Sequence, residues 1–142
     1  MEKINATVLD AAGHIIGSSI TLEDGVVRNV APPTEELRGP YFFPGFVDIH
    51  CHGGGGASFP DDNDRESIER AARTHAHEGT THLIASLVSA LDPLPAIKAL
   101  ADACDDGLPI GIHLEGPYVS HEKAGAQNPA AIRDINLDEL AT

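Results

Sequence analysis

The stretch Tyr41-Phe42-Phe43-Pro44-Gly45-Phe46-Val47-Asp48-Ile49-His50-Cys51-His52, followed by Gly53 to Gly56, decides how the rest of the chain is read. An apolar run ends in two histidines two residues apart. In a strand, residues i and i+2 project to the same side, so His50 and His52 aim both imidazoles at one spot. Neutral imidazole is a good ligand for zinc and its neighbours, which makes the pair a candidate metal site. By the same alternation Cys51 faces the other way, toward a helix layer, as a buried small apolar residue. The glycines that follow permit a sharp turn or a close backbone approach to a ligand.

Downstream the pattern runs strand, helix, strand, helix, strand. The first strand is predicted over Phe42–His50. A helix follows over about Asp64–His77, with Asn63 and Glu66 as a capping box, Gly79 as its stop and Ile68, Ala71, Ala72 and Ala76 as its apolar stripe. Thr80–Leu87 is an uninterrupted run suited to a strand buried on both faces. Asp92-Pro93 opens the next helix as N-cap and first helical residue, Leu94, Ile97, Ala101 and Cys104 form its inner stripe, and Gly107 ends it. The third strand is Leu108–Glu115. Such a succession reads as the start of a parallel α/β barrel or of an open α/β sheet.

Upstream, residues to about Pro33 read as short strands. Ile4, Ala6 and Val8 alternate, and Ser18–Glu23 and Val26–Val30 flank Asp24-Gly25, a strong hairpin signal. Pro32-Pro33 and Thr34-Glu35-Glu36 form a joint. So few strands need partners from elsewhere to bury two faces. At the other end, Asn136-Leu137-Asp138-Glu139 resembles a capping box one turn before Thr142, so the chain is read as a fragment of a longer protein.

The composition narrows the partners. The chain has 142 residues, 22 acids against 9 bases and a formal charge of −13, which argues against nucleic acid or an anionic membrane as partner. Two cysteines, Cys51 and Cys104, far apart in differently patterned segments, suit a reducing cytoplasm more than a disulfide framework. There is neither a signal pattern nor an apolar run of membrane-spanning length.

A second site is Gly111-Ile112-His113-Leu114-Glu115-Gly116-Pro117. Glu115 ends a strand on the face of Gly111 and His113, while Ile110, Ile112 and Leu114 share the other. Neighbouring barrel strands bring their C-terminal ends to one mouth, so Glu115 can meet His50 and His52 as a mixed N/O ligand set for a divalent ion. Among the remaining histidines, His113 reads as a packed, hydrogen-bonded residue and His82 as core. His14, His75, His77 and His121 read as surface, and Cys104 as buried. Asp61-Asp62-Asn63-Asp64 lacks the spacing of a calcium loop and reads as a helix-start cluster. No Lys-Ser/Thr follows Gly53–Gly56, so it is not a phosphate-binding P-loop.

Pro44 to Gly56 (PGFVDIHCHGGGG), Gly79 to Ser89 (GTTHLIASLVS) and Gly111 to Pro129 (GIHLEGPYVSHEKAGAQNP) together resemble the N-acetylglucosamine-6-phosphate deacetylase family of the amidohydrolase superfamily. The first block is shared by many amidohydrolases, and the third is the specific one. The resemblance implies a metal-dependent (β/α)8 TIM-type barrel preceded by strands of a small β-sandwich domain. Residues 1–40 would belong to the sandwich, and 41–142 would supply the first three βα units of an incomplete barrel. It implies release of acetate from N-acetylglucosamine 6-phosphate in amino-sugar catabolism, one or two divalent ions (zinc the first choice), and a homodimer of the full-length protein.

By the same resemblance Glu115 is a metal ligand, and His50 and His52 hold a second metal position that some members lack. Ala126 and Gln127 fall where the family contacts the sugar. Many members carry His in place of Gln127, so here an amide makes that contact. The catalytic Asp and two more ligand histidines would lie beyond Thr142, leaving the fragment inactive. Two other readings remain open: an amidohydrolase of cyclic amides, like dihydroorotase or hydantoinase, and a non-catalytic metal-binding module.

Overall fold

The computed structural model describes residues 1–35, 39–108 and 111–141. The chain divides into two units, Met1–Gly45 and Phe46–Thr142. In the first, β1 (Glu2–Leu9), β2 (Ile15–Glu23), β3 (Val26–Ala31) and β4 (Tyr41–Phe42) form one sheet in the order β3-β2-β1-β4. β1, β2 and β3 are antiparallel neighbours, whereas β4 runs parallel to β1. The β2–β3 hairpin turns at Asp24 and Gly25, with φ of 51° and 75°, the two positive values that a type I′ turn requires. Ala6, Val8 and Ile20 are its buried apolar residues.

Two expectations change here. β2 begins at Ile15, three residues before the predicted Ser18. The strand predicted over Phe42–His50 is two strands: Tyr41–Phe42 pairs with Thr7 and Val8, and a new strand starts at Phe46. Pro44-Gly45 separates them, since proline has no N–H to continue a ladder. Glu36, the last residue of the predicted joint, lies outside the described residues.

The second unit holds β5 (Phe46–Cys51), β6 (Gly53–Gly54), β7 (Ala57–Ser58), α1 (Arg65–His77), β8 (Thr80–Leu87), α2 (Leu94–Asp105), β9 (Gly111–Leu114) and α3 (Leu137–Leu140). β5, β8 and β9 form a parallel sheet in that order, with Cys51 opposite Ala85, Ser86 opposite His113 and Leu87 opposite Leu114. The fold of this unit is thus α/β. Its apolar core lies on one side of the sheet, where Cys51, Leu83, Ala85 and Leu87 meet Ile68, Ala71, Leu100 and Ala103. Gly53 to Gly56 belong to a β6–β7 hairpin that packs on α1.

Helix boundaries shift slightly. Asp64, not Asn63, caps α1: its carboxylate accepts the Ser67 N–H at 3.0 Å. α2 starts at Leu94, whose N–H donates to Asp92, so Asp92 helps its first turn from one residue further out. The buried stripe of α2 is Ala96, Leu100 and Ala103. Leu94 and Ala101 are exposed and Cys104 only half-buried. Small alanines around this helix offer two adjacent stripes of similar hydrophobicity, and packing selects the one centred on Leu100. On α1, Ile68 and Ala71 are buried as expected, whereas Ala76, near the end, is exposed. β9 is shorter than the predicted Leu108–Glu115, and Pro109 and Ile110 lie outside the described residues.

After β9 the chain folds back on itself. The Arg133 guanidinium binds the Glu139 carboxylate with two nitrogens and donates to the Ala90 and Ala131 carbonyls, while the Tyr118 hydroxyl donates to Glu139 at 2.8 Å. Asn136 caps α3 by accepting from the Asp138 and Glu139 N–H groups. The Arg133–Ala90 bond ties this segment to the loop that follows β8.

Leu100 is 0 % exposed and Leu94 53 %, so Leu100→Ala is expected to cost about 2–5 kcal/mol and Leu94→Ala less than about 0.5 kcal/mol in denaturant titrations. Equal losses would contradict the stripe assignment. The Arg133 guanidinium, and secondarily the Tyr118 hydroxyl, hold the Glu139 carboxyl down to about 2 from its ordinary 4.5. A lowered folded-state pKa means that the clamp's contribution is complete above 4.5 and fades as pH falls from 4.5 toward 2. Hydrogen-exchange protection across residues 117–141, measured against the unstructured rate at each pH, should fall through that window, and Glu139→Gln should lower it already at neutral pH. Protection that stays flat in acid would contradict the clamp.

Candidate metal centre

β5 alternates as its sequence dictates. Cys51 is buried against α1, while His50 and His52 lie on the opposite side, with their Nε2 atoms 3.0 Å apart and their rings edge to face. Glu115 follows β9 directly, and its N–H donates to the Leu87 carbonyl at 2.9 Å, extending the β8–β9 pairing by one residue. Its Oε1 is then 2.6 Å from His50 Nε2 and 3.6 Å from His52 Nε2. The three predicted ligands are therefore brought together, one donor atom from each lying within 4.8 Å of the others.

The surroundings orient each donor. His52 Nδ1 is 3.0 Å from the Ser86 carbonyl oxygen. A carbonyl only accepts, so Nδ1 carries a proton, and in the neutral ring Nε2 then keeps its lone pair on the side of Glu115, as a metal-ligating histidine requires. The Gln127 amide donates from Nε2 to Glu115 Oε2 at 2.8 Å, and its Oε1 accepts the Ser89 N–H at 2.6 Å. One carboxylate oxygen is thus committed to Gln127, and the other faces the histidines. A Cβ on Gly116 would sit 2.0 Å from Ser89 Oγ and 3.2 Å from its Cβ, so a larger residue here would push the Ser89 side chain aside. Two imidazoles of suitable tautomer and one oriented carboxylate are a donor set that fits zinc or a similar divalent ion.

The other predicted residues fall as follows. Gln127 touches Glu115, and Ala126 beside it is exposed. His113 bonds to Ser86 Oγ at 3.1 Å and meets the His50 ring edge to face at 5.3 Å. His82, expected in the core, is exposed, because the core side of β8 is the face of Leu83, Ala85 and Leu87. His14, His77 and His121 are exposed.

His75, expected at the surface, is instead half-buried against Cys51, 3.1 Å from Sγ, and lies 2.9 Å from the Gly53 carbonyl oxygen. The signal was in the helix period, since Ile68, Ala71 and His75 are spaced i, i+3, i+7 on one face. Burial, and to a lesser degree the charge of Asp48, pushes the Cys51 thiol up. The link from Gln127 to Ser89 joins residues 38 apart and had no periodic signal.

Comparison with known proteins gives the site a context. Residues 41–140 match the amidohydrolase family. The chain is 29 % identical to an N-acetylgalactosamine-6-phosphate deacetylase of Escherichia coli O157:H7, over 94 % of this chain and 37 % of that protein. It is 32 % identical to an N-acetylglucosamine-6-phosphate deacetylase of Haemophilus influenzae, over 93 % of this chain and 38 % of that one. Among solved structures, N-acetyl-D-glucosamine-6-phosphate deacetylase of Mycobacterium smegmatis superposes with a TM-score of 0.82 at 32 % identity, covering 99 % of this chain and 39 % of that one. A mutant of the same enzyme in complex with N-acetyl-D-glucosamine 6-phosphate superposes with a TM-score of 0.81. The chain thus spans less than two-fifths of these relatives. With a match that runs from Tyr41 to Leu140 through both halves of the His–Glu group, the chain belongs to the amidohydrolase family.

Proposed function

We propose that the protein carrying this chain hydrolyses the acetamide of N-acetylglucosamine 6-phosphate, giving glucosamine 6-phosphate and acetate. The observation that supports this reading most is the convergence of His50, His52 and Glu115, in a chain whose relatives bear the names of amino-sugar-phosphate deacetylases. His50, His52 and Glu115 would hold a divalent ion, zinc being the first choice for an imidazole and carboxylate set. When bound, such an ion supplies Lewis-acid activation of water and of the amide carbonyl.

The chain's own residues do the positioning. The Ser86 carbonyl keeps His52 in the ligating tautomer, and Gln127 keeps one oxygen of Glu115 turned away from the histidines. Ala126 and Gln127 are proposed to face the sugar, so Gln127 would couple sugar recognition to the placement of Glu115. Among the described residues this group contains one carboxylate, which is committed to the ligand role. A proton shuttle to the departing amine therefore belongs, on this reading, to an Asp of a longer protein, as do the two further ligand histidines. The (β/α)8 barrel, the β-sandwich and the homodimer remain part of the same proposal, and residues 1–142 alone would be inactive.

In the protein that carries this segment, acetate release is expected from N-acetylglucosamine 6-phosphate and none from dihydroorotate or hydantoin. N-acetylgalactosamine 6-phosphate is the informative competitor, given the relatives of that name. Turnover of a cyclic amide without turnover of either sugar phosphate would refute the reading. Glu115→Gln replaces a charged ligand with a neutral one and should lower kcat by more than about a hundredfold, beyond the usual effect of outer-shell changes, together with bound metal. Near-normal turnover would remove Glu115 from the site.

A further inference from the structure

Cys51 sits between His50 and His52 in sequence but on the far face of β5, and there it belongs to a second group of donors. Its Sγ is 3.1 Å from His75 Nε2 and 3.2 Å from the Gly53 carbonyl oxygen, and His75 Nε2 is 2.9 Å from that same oxygen. A sulfur, an imidazole nitrogen and a carbonyl oxygen therefore form a closed triangle. The approach depends on glycine, since a Cβ on Gly54 would lie 3.0 Å from His75 Nε2. On the opposite side of the ring, Asp48 Oδ2 is 3.9 Å from Nδ1. A metal-ligating histidine commonly has a carboxylate beside its other ring nitrogen, and Asp48 stands on that side, just beyond hydrogen-bond distance.

Cysteine, histidine and aspartate in this order also suggest a nucleophile with its base, but Cys51 is only 6 % exposed, so a substrate cannot reach the sulfur. We propose that Cys51, His75 and the Gly53 carbonyl bind a thiophilic divalent cation of the zinc class, at a site separate from His50, His52 and Glu115. Without the ion the Cys51 thiol donates to the Gly53 carbonyl. The His75 Nε2–H faces the same carbonyl at 2.9 Å. On binding, the thiol proton leaves to solvent, the ring proton passes to Nδ1 on the Asp48 side, and the thiolate and the freed Nε2 take the ion. Zinc bonds of about 2.3 Å to sulfur and 2.0 Å to nitrogen set the two ligand atoms roughly 3.5 Å apart in a tetrahedral site, a few tenths of an ångström wider than the triangle now stands. Asp48 stands behind the ring on the Nδ1 side. An ion here ties α1 to β5 at the residue flanked by both histidines of the mouth, and so holds them in register. Its ligands are not those of the proposed catalytic centre.

The test uses cadmium, whose bond to a thiolate gives an ultraviolet charge-transfer band that histidine and carboxylate sites lack. The chain, reduced with a non-thiol reductant, is titrated with cadmium alone. The band should saturate at one ion per chain and survive both His50→Asn/His52→Asn and Cys104→Ser. It should vanish in Cys51→Ser, and in His75→Gln its apparent affinity should fall by about tenfold or more. Circular dichroism confirms that each variant is folded, and His75→Gln keeps the test open should Cys51→Ser fail to fold. Absence of the band in the wild-type chain at saturating cadmium would overturn the proposal. So would a band lost with Cys104 or with the His50/His52 pair. Because that pair is removed in one arm, failure of the deacetylase reading and failure of this site give different patterns.

Discussion

Parallel pairing is the constraint on which the site depends. β5, β8 and β9 run in the same direction, and their register sets the ends level: Cys51 lies opposite Ala85, and Leu87 opposite Leu114. Each strand therefore delivers its last residues to one edge of the sheet. β5 delivers His50 and His52, β8 the Ser86 carbonyl and the Ser89 N–H, and β9 Glu115. Slipping one strand by a single residue would turn its side chains to the other face and replace a histidine or the carboxylate with Cys51 or Leu114. The buried residues of the opposite face, Leu83, Ala85 and Leu87 against Ile68 and Leu100, are what make such a slip costly.

The same alternation gives the two faces of β5 different chemistry. One face presents imidazoles to a carboxylate at the exposed edge. The other buries a thiol against a helix and a glycine hairpin. The glycines contribute through what they lack: Gly54 lets the hairpin reach His75, and Gly116 lets the chain turn past Ser89 straight after Glu115. The hydrogen bonds around the site have a direction that distances alone would not reveal. A carbonyl beside His52 Nδ1 sets its tautomer, and the Gln127 amide can donate to Glu115 only because its oxygen is occupied by the Ser89 N–H.

Local patterns in the sequence carried much of this. The run from Thr80 to Leu87 after Gly79 is a strand with those limits, and Asp24-Gly25 turns the hairpin through two positive φ values. The i, i+2 spacing of His50 and His52 was enough to place both rings together. Patterns with two near-equal solutions were less legible. In α2, alanines flank Leu100 on both sides, so the apolar stripe had no sharp edge until packing defined it. Tyr41-Phe42 and Phe46–Cys51 form one apolar stretch in the sequence but serve different sheets. A contact that depends on side-chain chemistry across a long separation, such as Gln127 with Ser89, had no repeat to reveal it.

Convergence of His50, His52 and Glu115 on one ion is tested most directly by anomalous X-ray diffraction at the zinc edge, on crystals of the zinc-loaded protein. The expected result is a peak within bonding distance of His50 Nε2, His52 Nε2 and Glu115 Oε1, with Gln127 still on the other carboxylate oxygen. No peak at these three atoms, or zinc-loaded crystals in which Glu115 has turned away from both imidazoles, would contradict it.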